Sequence, residues 1–285
     1  MKNLDPIQDD PRATFDAIIG NKEEPRLSIL NRLRPRVFGA YETYERWKHE
    51  LHKIPTPLVL VGLREDEQEA LRYCYTGATY HANPSKPLDC LYKQVRELTG
   101  TCPYCTITIT QTLDHYLPQN SYPEYSVLSR NLIPSCYSCN PNRSFRNKRG
   151  ERALIHPYFD HIPNERLLVA TVRVIDHVPE AEFSVDLSNC RDIGFGQLYQ
   201  RHFVLLKLAD RYRSFAMSSY GLPSVISQLR RDHSRGTPRE DVRASLAEQA
   251  DEEEKRLGSN HFRVALYRGA ASSDEFLNHC LRRTP

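Results

Sequence analysis

Eight residues between Thr101 and Lys148 have side chains whose types and order could do chemistry. Four are cysteines in two C-x-x-C pairs, Cys102/Cys105 and Cys136/Cys139. Two thiolates three positions apart on a tight turn can both reach one ion, and four of them close a tetrahedral structural zinc site. Pro103 favours the turn inside the first pair. The 30 residues from Cys105 to Cys136 exceed the common zinc-ribbon spacing, so the ion would bracket an inserted element. Two other readings stand beside this one. The cysteines could be unconnected buried thiols, packing as small hydrophobes, or redox pairs, although no βαβ pattern surrounds either C-x-x-C. Between the pairs lie Asp114-His115 and Asn131, and Asn140 follows Cys139 directly. A neutral imidazole can take a proton from water near pH 7. A carboxylate and an amide oxygen can hold a hard divalent cation. Water activation, charge neutralisation and help for a leaving oxygen are what hydrolysis of a phosphodiester needs. The alternative for His115 is a hydrogen-bonded structural histidine.

The ordered set of C-x-x-C, Asp114-His115 with a following Pro118, Asn131-Leu132 sixteen residues after the histidine, and C-x-x-C-N with Lys148 beyond it resembles the HNH nucleases. These are of the ββα-metal type, and the resemblance is to the subgroup with a zinc-binding double C-x-x-C. It covers Thr101 to Lys148 and, less closely, the run His156-Pro157-Tyr158-Phe159-Asp160. It implies that His115 is the general base and that Asn131 braces the loop carrying it. Asp114 and Asn140 would be ligands of a catalytic Mg2+ or Mn2+, with a structural zinc on Cys102, Cys105, Cys136 and Cys139. The chain reads H-N-N where the family name reads H-N-H, and an asparagine in the last place favours an oxygen-preferring ion. The activity implied is endonucleolytic cleavage of DNA, and similar bacterial proteins act in restriction or anti-phage defence. Two readings of other classes remain. One is a zinc-stabilised nucleic-acid or protein binding module without catalysis, kept open by Asn140. The other is a nuclease subunit gated by a partner such as an ATPase. A single site of this type cuts one strand per visit, and that is the one ground for expecting a homodimer.

These residues need elements to hold them. Thr106 to Thr110 alternates with period two and is β-branched, which predicts a strand, with Asp114-His115 at its far end. A helix is expected to start near Ser138-Cys139-Asn140-Pro141. Beyond it Arg143, Arg146, Lys148, Arg149 and Arg152 accumulate beside one acid, Glu151. Their position next to the metal site suggests phosphate contacts; the other reading is a solvated helix face. His156 could be a further ligand, orient a phosphate, or cap the module by packing.

The chain has 285 residues, 39% of them hydrophobic, and a formal net charge of +3, too small to argue for nucleic-acid binding by itself. Mean hydropathy is −0.61, and no run approaches the roughly 20 apolar residues that span a bilayer. The N-terminus lacks an apolar signal core, which with reduced thiols predicts a cytoplasmic protein. The fold class expected is α+β and mostly helical. A helical region over 1–99, the central module over 100–160 and a β-hairpin plus helices over 161–285 would make it up. Residues 1–25 read as an irregular arm, and 25–54 as two helices broken at Pro35 and Gly39 with Trp47 in the core. Glu65–Tyr75 and Leu88–Leu98 read as two further helices, with Cys74 and Cys90 as core thiols. Leu58–Val61 reads as a short apolar strand or connector. In the last region a hairpin turning at Pro179-Glu180, one long helix over 191–218 and a helix after Pro223 are expected. Beyond them a charged helix over Arg239–Leu257 should present Asp251–Glu254 to solvent or a partner, and His261–Arg283 reads as a last helix.

Overall fold

Leu30, Leu33, Val37, Tyr41 and Tyr44 recur every three or four residues, which places them on one face of one helix. The computed structural model describes residues 1–55, 57–58, 62–75, 86–140 and 145–281. In it, these five side chains are buried along α2 (Arg26–Trp47). The helix runs through Pro35 and Gly39 without the expected break. A proline inside a helix costs about 3 kcal/mol. Burying five large side chains contributes about 1.5–3 kcal/mol each, so packing outweighs propensity. Trp47, at the end of α2, is half-buried rather than central.

The supposed irregular arm contains α1 (Pro11–Ile19). Asp10 caps it by accepting from Arg12 N at 2.9 Å, and Pro11 takes the first helical position, where its missing N–H costs nothing. Phe15, Ile18 and Ile19 are its buried face. Next come α3 (Glu65–Tyr73) and α4 (Pro87–Glu97), close to the expected spans. Cys74 is buried, and burial pushes its thiol up to about 12; Cys90 is exposed and is not a core thiol. The expected connector at Leu58–Val61 lies in part outside the described residues, and His81, which the sequence places in a turn-rich loop before Pro84, lies wholly outside them.

β1 (Thr112–His115) and β2 (Leu132–Ser135) pair antiparallel, Asp114 opposite Ile133 and His115 opposite Leu132. The strand thus starts after the segment predicted for it. Thr106–Thr110 instead folds back over the first cysteine pair. Thr106 has φ 58°, Thr108 O accepts from Cys102 N at 2.9 Å, and Ile109 bridges Thr101. A β-branched run was overruled by the turn that the cysteines need. The helix expected after Cys139 is not found among the described residues. Cys136–Asn140 is a turn, 141–144 lie outside the description, and Arg146 bridges Arg152 around a tight turn with Gly150 at φ 79°.

The chain divides into two compact units. One comprises Asn3–Tyr104 and Thr108–His161, so most of the 1–99 and 100–160 segments share it; the other comprises Met1–Lys2, Cys105–Ile107 and Ile162–Pro285. In the latter, β3 (Leu168–Ile175) and β4 (Val178–Val185) form a hairpin. Its turn is Asp176-His177, both at positive φ (48° and 66°), and not Pro179-Glu180. Two left-handed residues match the strand twist. Pro179 pairs with Val174 one step from the turn, a position where the ladder asks for no N–H. Helices α5 (Ile193–Leu205) and α6 (Leu208–Met217) replace the single long helix, because Lys207 sits at φ 51°. They are followed by α7 (Leu222–Ser234), α8 (Arg239–Leu257), α9 (Phe262–Ser272) and α10 (Asp274–Leu281); the last two replace a single predicted helix. Gly269 lets α9 close on β3, since a Cβ there would lie 2.4 Å from Ala170 O.

The acidic run on α8 does not simply face solvent. Asp251 and Glu254 receive Arg268, Glu254 also receives Arg166, and Glu253 receives Arg256. Burial alone would raise the Glu254 pKa, but the hydrogen bonds from Arg166 and Arg268 overcome it and hold the carboxyl at about 2. The chain is therefore α+β and mostly helical, with ten α-helices and two two-stranded sheets among the described residues. Among those residues no helix is long and apolar enough to cross a membrane.

Two buried histidines give the fold a pH dependence. Burial depresses both His156 and His261, helped by Arg152 at the first and by the N-terminal amine and Arg263 at the second, which falls to about 3. The unfolded chain takes up these protons near the ordinary value of 6.5 while the folded chain does not. Stability is therefore complete above that pH and declines as pH falls toward the folded values. Urea unfolding should show a lower midpoint at about pH 5 than at about pH 7.5; equal midpoints would contradict the assignment.

Candidate functional site

The two cysteine pairs converge. Cys102, Cys105, Cys136 and Cys139 are buried, carry free thiols, and place their sulfur atoms within 4.8 Å of one another. An ion at about 2.3 Å from each thiolate needs sulfur–sulfur separations of about 3.8 Å, so little contraction is required. Each knuckle is fixed by backbone: Thr110 N donates to Gly100 O at 3.1 Å beside the first pair, and Cys139 N and Asn140 N donate to Cys136 O at 2.9 and 3.1 Å in the second. Convergence removes the reading of unconnected core thiols. The four cysteines can hold one metal ion.

His115 ends β1. Its Nε2 lies 2.9 Å from Ser126 O, and since a carbonyl only accepts, Nε2 carries the proton. Burial holds the ring well below the ordinary value, at about 4 despite that hydrogen bond, so it is neutral at pH 7 with its lone pair on Nδ1. Tyr75 stands edge-on against the ring at 4.4 Å between centroids and reaches Leu113 O with its hydroxyl at 3.4 Å.

Asn131 is completely buried and ties the long β1–β2 loop together. Its Oδ1 accepts from Leu117 N at 2.8 Å, and its Nδ2 donates to Leu117 O and Tyr125 O at 3.1 and 3.2 Å. One tie lies two residues after His115, the other one residue before Ser126. The geometry is that of a brace for the loop that orients the imidazole.

Asp114 is 8% exposed and shares its strand face with Thr112, two residues away. Asn140 Nδ2 donates to Thr112 Oγ1 at 2.7 Å and to Leu113 O at 3.1 Å. Leu113 O can only accept, which fixes the amide orientation and leaves Oδ1 as the end able to accept or ligate. Among the described residues, the cysteine set is the only group of three or more His, Cys, Asp or Glu side chains that could hold a metal ion.

The flanking residues separate into two kinds. Lys148 and Arg149 are exposed on the tight turn between Arg146 and Arg152. Arg146 donates to His52 O and covers the Phe145 ring, and Arg152 donates to Asp160 and to Tyr116 Oη. Arg143 lies outside the described residues. His156 is no ligand: Nδ1 accepts from Tyr158 N at 3.2 Å, so Nε2 bears the proton and faces Tyr44 Oη at 3.3 Å. It packs against Tyr116 and Phe159 at ring distances of 4.2 and 4.5 Å, which makes the His156–Asp160 run a cap.

Sequence reading missed Ser126, which acts through its backbone carbonyl and so has no side-chain signature. It missed Tyr75, which is 40 residues before His115, and it read Tyr44 only as a core position, although Tyr44 Oη reaches Arg130 O at 3.1 Å and Asn131 Oδ1 at 3.4 Å.

No family model matches the chain, and no solved structure matches it. Among curated proteins it is similar to protein ea31 of Escherichia phage lambda, with 34% identity over 182 residues. The match takes in 61% of this chain and 58% of that protein, so the chain spans less than two thirds of the relative's length.

Two outcomes follow from this geometry. Cys136→Ser should strip the purified protein of a tightly bound metal, read by elemental analysis, and lower its melting temperature; a wild type without metal would sink the four-thiolate site. Asn131→Ala should destabilise the fold by about 3 kcal/mol or more in urea titration, because three buried backbone groups lose their partner. A loss below about 1 kcal/mol would remove the brace.

Proposed function

We propose that this protein is a metal-dependent endonuclease of HNH type that hydrolyses DNA phosphodiester bonds. The observation that carries the reading is the His115 Nε2–Ser126 O hydrogen bond at 2.9 Å, made from a loop that Asn131 pins. It leaves Nδ1 as a fixed proton acceptor. In the proposed reaction Nδ1 takes the proton of the attacking water, and the Ser126 carbonyl stabilises the imidazolium by keeping Nε2–H engaged. Tyr75 limits rotation of the ring. Asp114 and the Asn140 amide oxygen would hold Mg2+ or Mn2+, for which oxygen donors are the suitable chemistry. That ion, when bound, neutralises the phosphate and stabilises the leaving oxygen. The four thiolates suit zinc in a closed structural role. Lys148 and Arg149, with Arg143 of the same stretch, would contact DNA phosphates. A role in restriction or anti-phage defence, and a partner ATPase, rest on the family resemblance alone.

One observation favours a second reading, a zinc-stabilised binding module without catalysis. Asp114 is only 8% exposed, so it must become accessible to a cation for the reaction to run.

Supercoiled plasmid incubated with the protein in Mg2+ and in Mn2+ tests the proposal. Wild type should nick or linearise it, and His115→Ala should lose at least about a hundredfold in rate. Equal cleavage by both would reject His115 as the base. DNA binding without cleavage by wild type in either ion would support the second reading.

A further inference from the structure

The residue after Cys105 holds a conformation that its own side chain opposes. Thr106 is β-branched and has φ 58°, in the left-handed region that glycine enters freely and a branched residue rarely does. Such a conformation persists only where the surroundings impose it. Two buried donors from distant helices do so. Tyr212 of α6 donates its Oη to Cys105 O at 3.1 Å, and the same carbonyl accepts from Thr106 Oγ1 at 2.7 Å. His261, the N-cap of α9, accepts from Arg263 N through Nδ1 at 3.2 Å, which leaves the proton on Nε2, and its ring engages the Thr106 carbonyl. Tyr212 is 1% exposed and His261 6%. The Tyr212 ring stacks on Phe262, the neighbour of His261, at 5.3 Å, and meets Phe183 of β4 edge-on at 5.4 Å. Both donors thus stand on one packed aromatic group, in the same compact unit as Cys105–Ile107.

We propose that Tyr212 and His261 are positioning residues of the metal centre, holding Cys105 in its ligating conformation before an ion arrives. The inference rests on the four-thiolate site and is independent of the role of His115. The Cys105 and Thr106 carbonyls belong to the two peptide planes that flank the Thr106 Cα, so gripping both fixes φ and ψ there. The path of the chain leaving Cys105 follows, and with it the return that lets Thr108 O accept from Cys102 N at 2.9 Å. With a donor removed, Thr106 relaxes toward the extended backbone that a β-branched side chain prefers. Metal binding must then restore the turn, and the lost hydrogen bond is read as weaker metal affinity.

Zinc affinity of the full chain, measured by competition with a chromophoric chelator, tests this. Tyr212→Phe keeps the ring and loses the hydroxyl; His261→Asn keeps an N-cap for α9 and loses the donor to Thr106. Each should weaken zinc binding about fivefold, the worth of one hydrogen bond. In a Thr106→Gly background, where the left-handed conformation carries no steric penalty, the same substitutions should cost less than about twofold. A role confined to packing would lower the melting temperature of zinc-free and zinc-loaded protein alike and leave zinc affinity at the wild-type value. That result in both variants, or a loss undiminished by Thr106→Gly, would overturn the inference. The two substitutions lie on different helices, so a variant that does not fold leaves the other to decide. A wild type that binds no zinc would overturn the four-thiolate site together with the roles of Tyr212 and His261.

Discussion

One buried amide holds the candidate site in shape. The β1–β2 ladder is four residues long on each side, and a two-stranded sheet of that size is marginal by itself. The loop it closes is long and would have many conformations. Asn131 removes them by engaging Leu117 through both its oxygen and its nitrogen, and Tyr125 through its nitrogen. Any other loop path would bury polar backbone without partners, at about 1–3 kcal/mol for each group. The position of the Ser126 carbonyl follows, and with it the tautomer and direction of His115.

The opposite end of the same hairpin is held by sulfur. β2 ends at Ser135, immediately before Cys136, and Gln111 N donates to Ser135 O at 2.9 Å just before β1 begins. The four gathered thiols thus anchor the root of the hairpin, while the Asn131 amide fixes its tip. Asp114 and His115 lie between a metal-ready end and a hydrogen-bonded end. Short strands can carry reactive groups accurately when both ends are fixed by something other than the ladder.

Charge has been used mainly inside the molecule. The basic stretch reads as a row of phosphate contacts, yet Arg146 and Arg152 are turned onto His52 O, Tyr116 and Asp160. The acidic run of α8 is likewise met by Arg166, Arg256 and Arg268. In both cases several partners come from distant stretches of chain, and a sequence window cannot see them. A cation count along the chain overestimated one surface.

How much was legible depended on how local the cause was. Helices such as α3, α4 and α8 were visible because their start signals, acidic residues in the first turn of α3 and α8 and a proline at the first position of α4, lie within one turn of the sequence. The break at Pro35 was predicted from propensity and did not occur, because Leu33 and Val37 on either side of it are buried on the opposite face and hold the helix together, while Pro35 itself is exposed. The Thr106–Thr110 strand failed for the same reason, since closing the cysteine knuckle outweighed β-branched preference. Lys207 and the Asp176-His177 turn took left-handed backbone without glycine, which no residue type announced.

By itself the sequence determined which groups could do chemistry: four thiols in two pairs, an Asp-His dyad, and asparagines at two set distances. Side-chain chemistry is local to each residue and spacing limits what two neighbours can share. Only the tertiary structure decided that the four sulfurs meet within 4.8 Å, that Ser126 orients His115, and that His156 packs instead of ligating. These are contacts between residues far apart in the chain, settled by burial and by the requirement that every buried polar group find a partner.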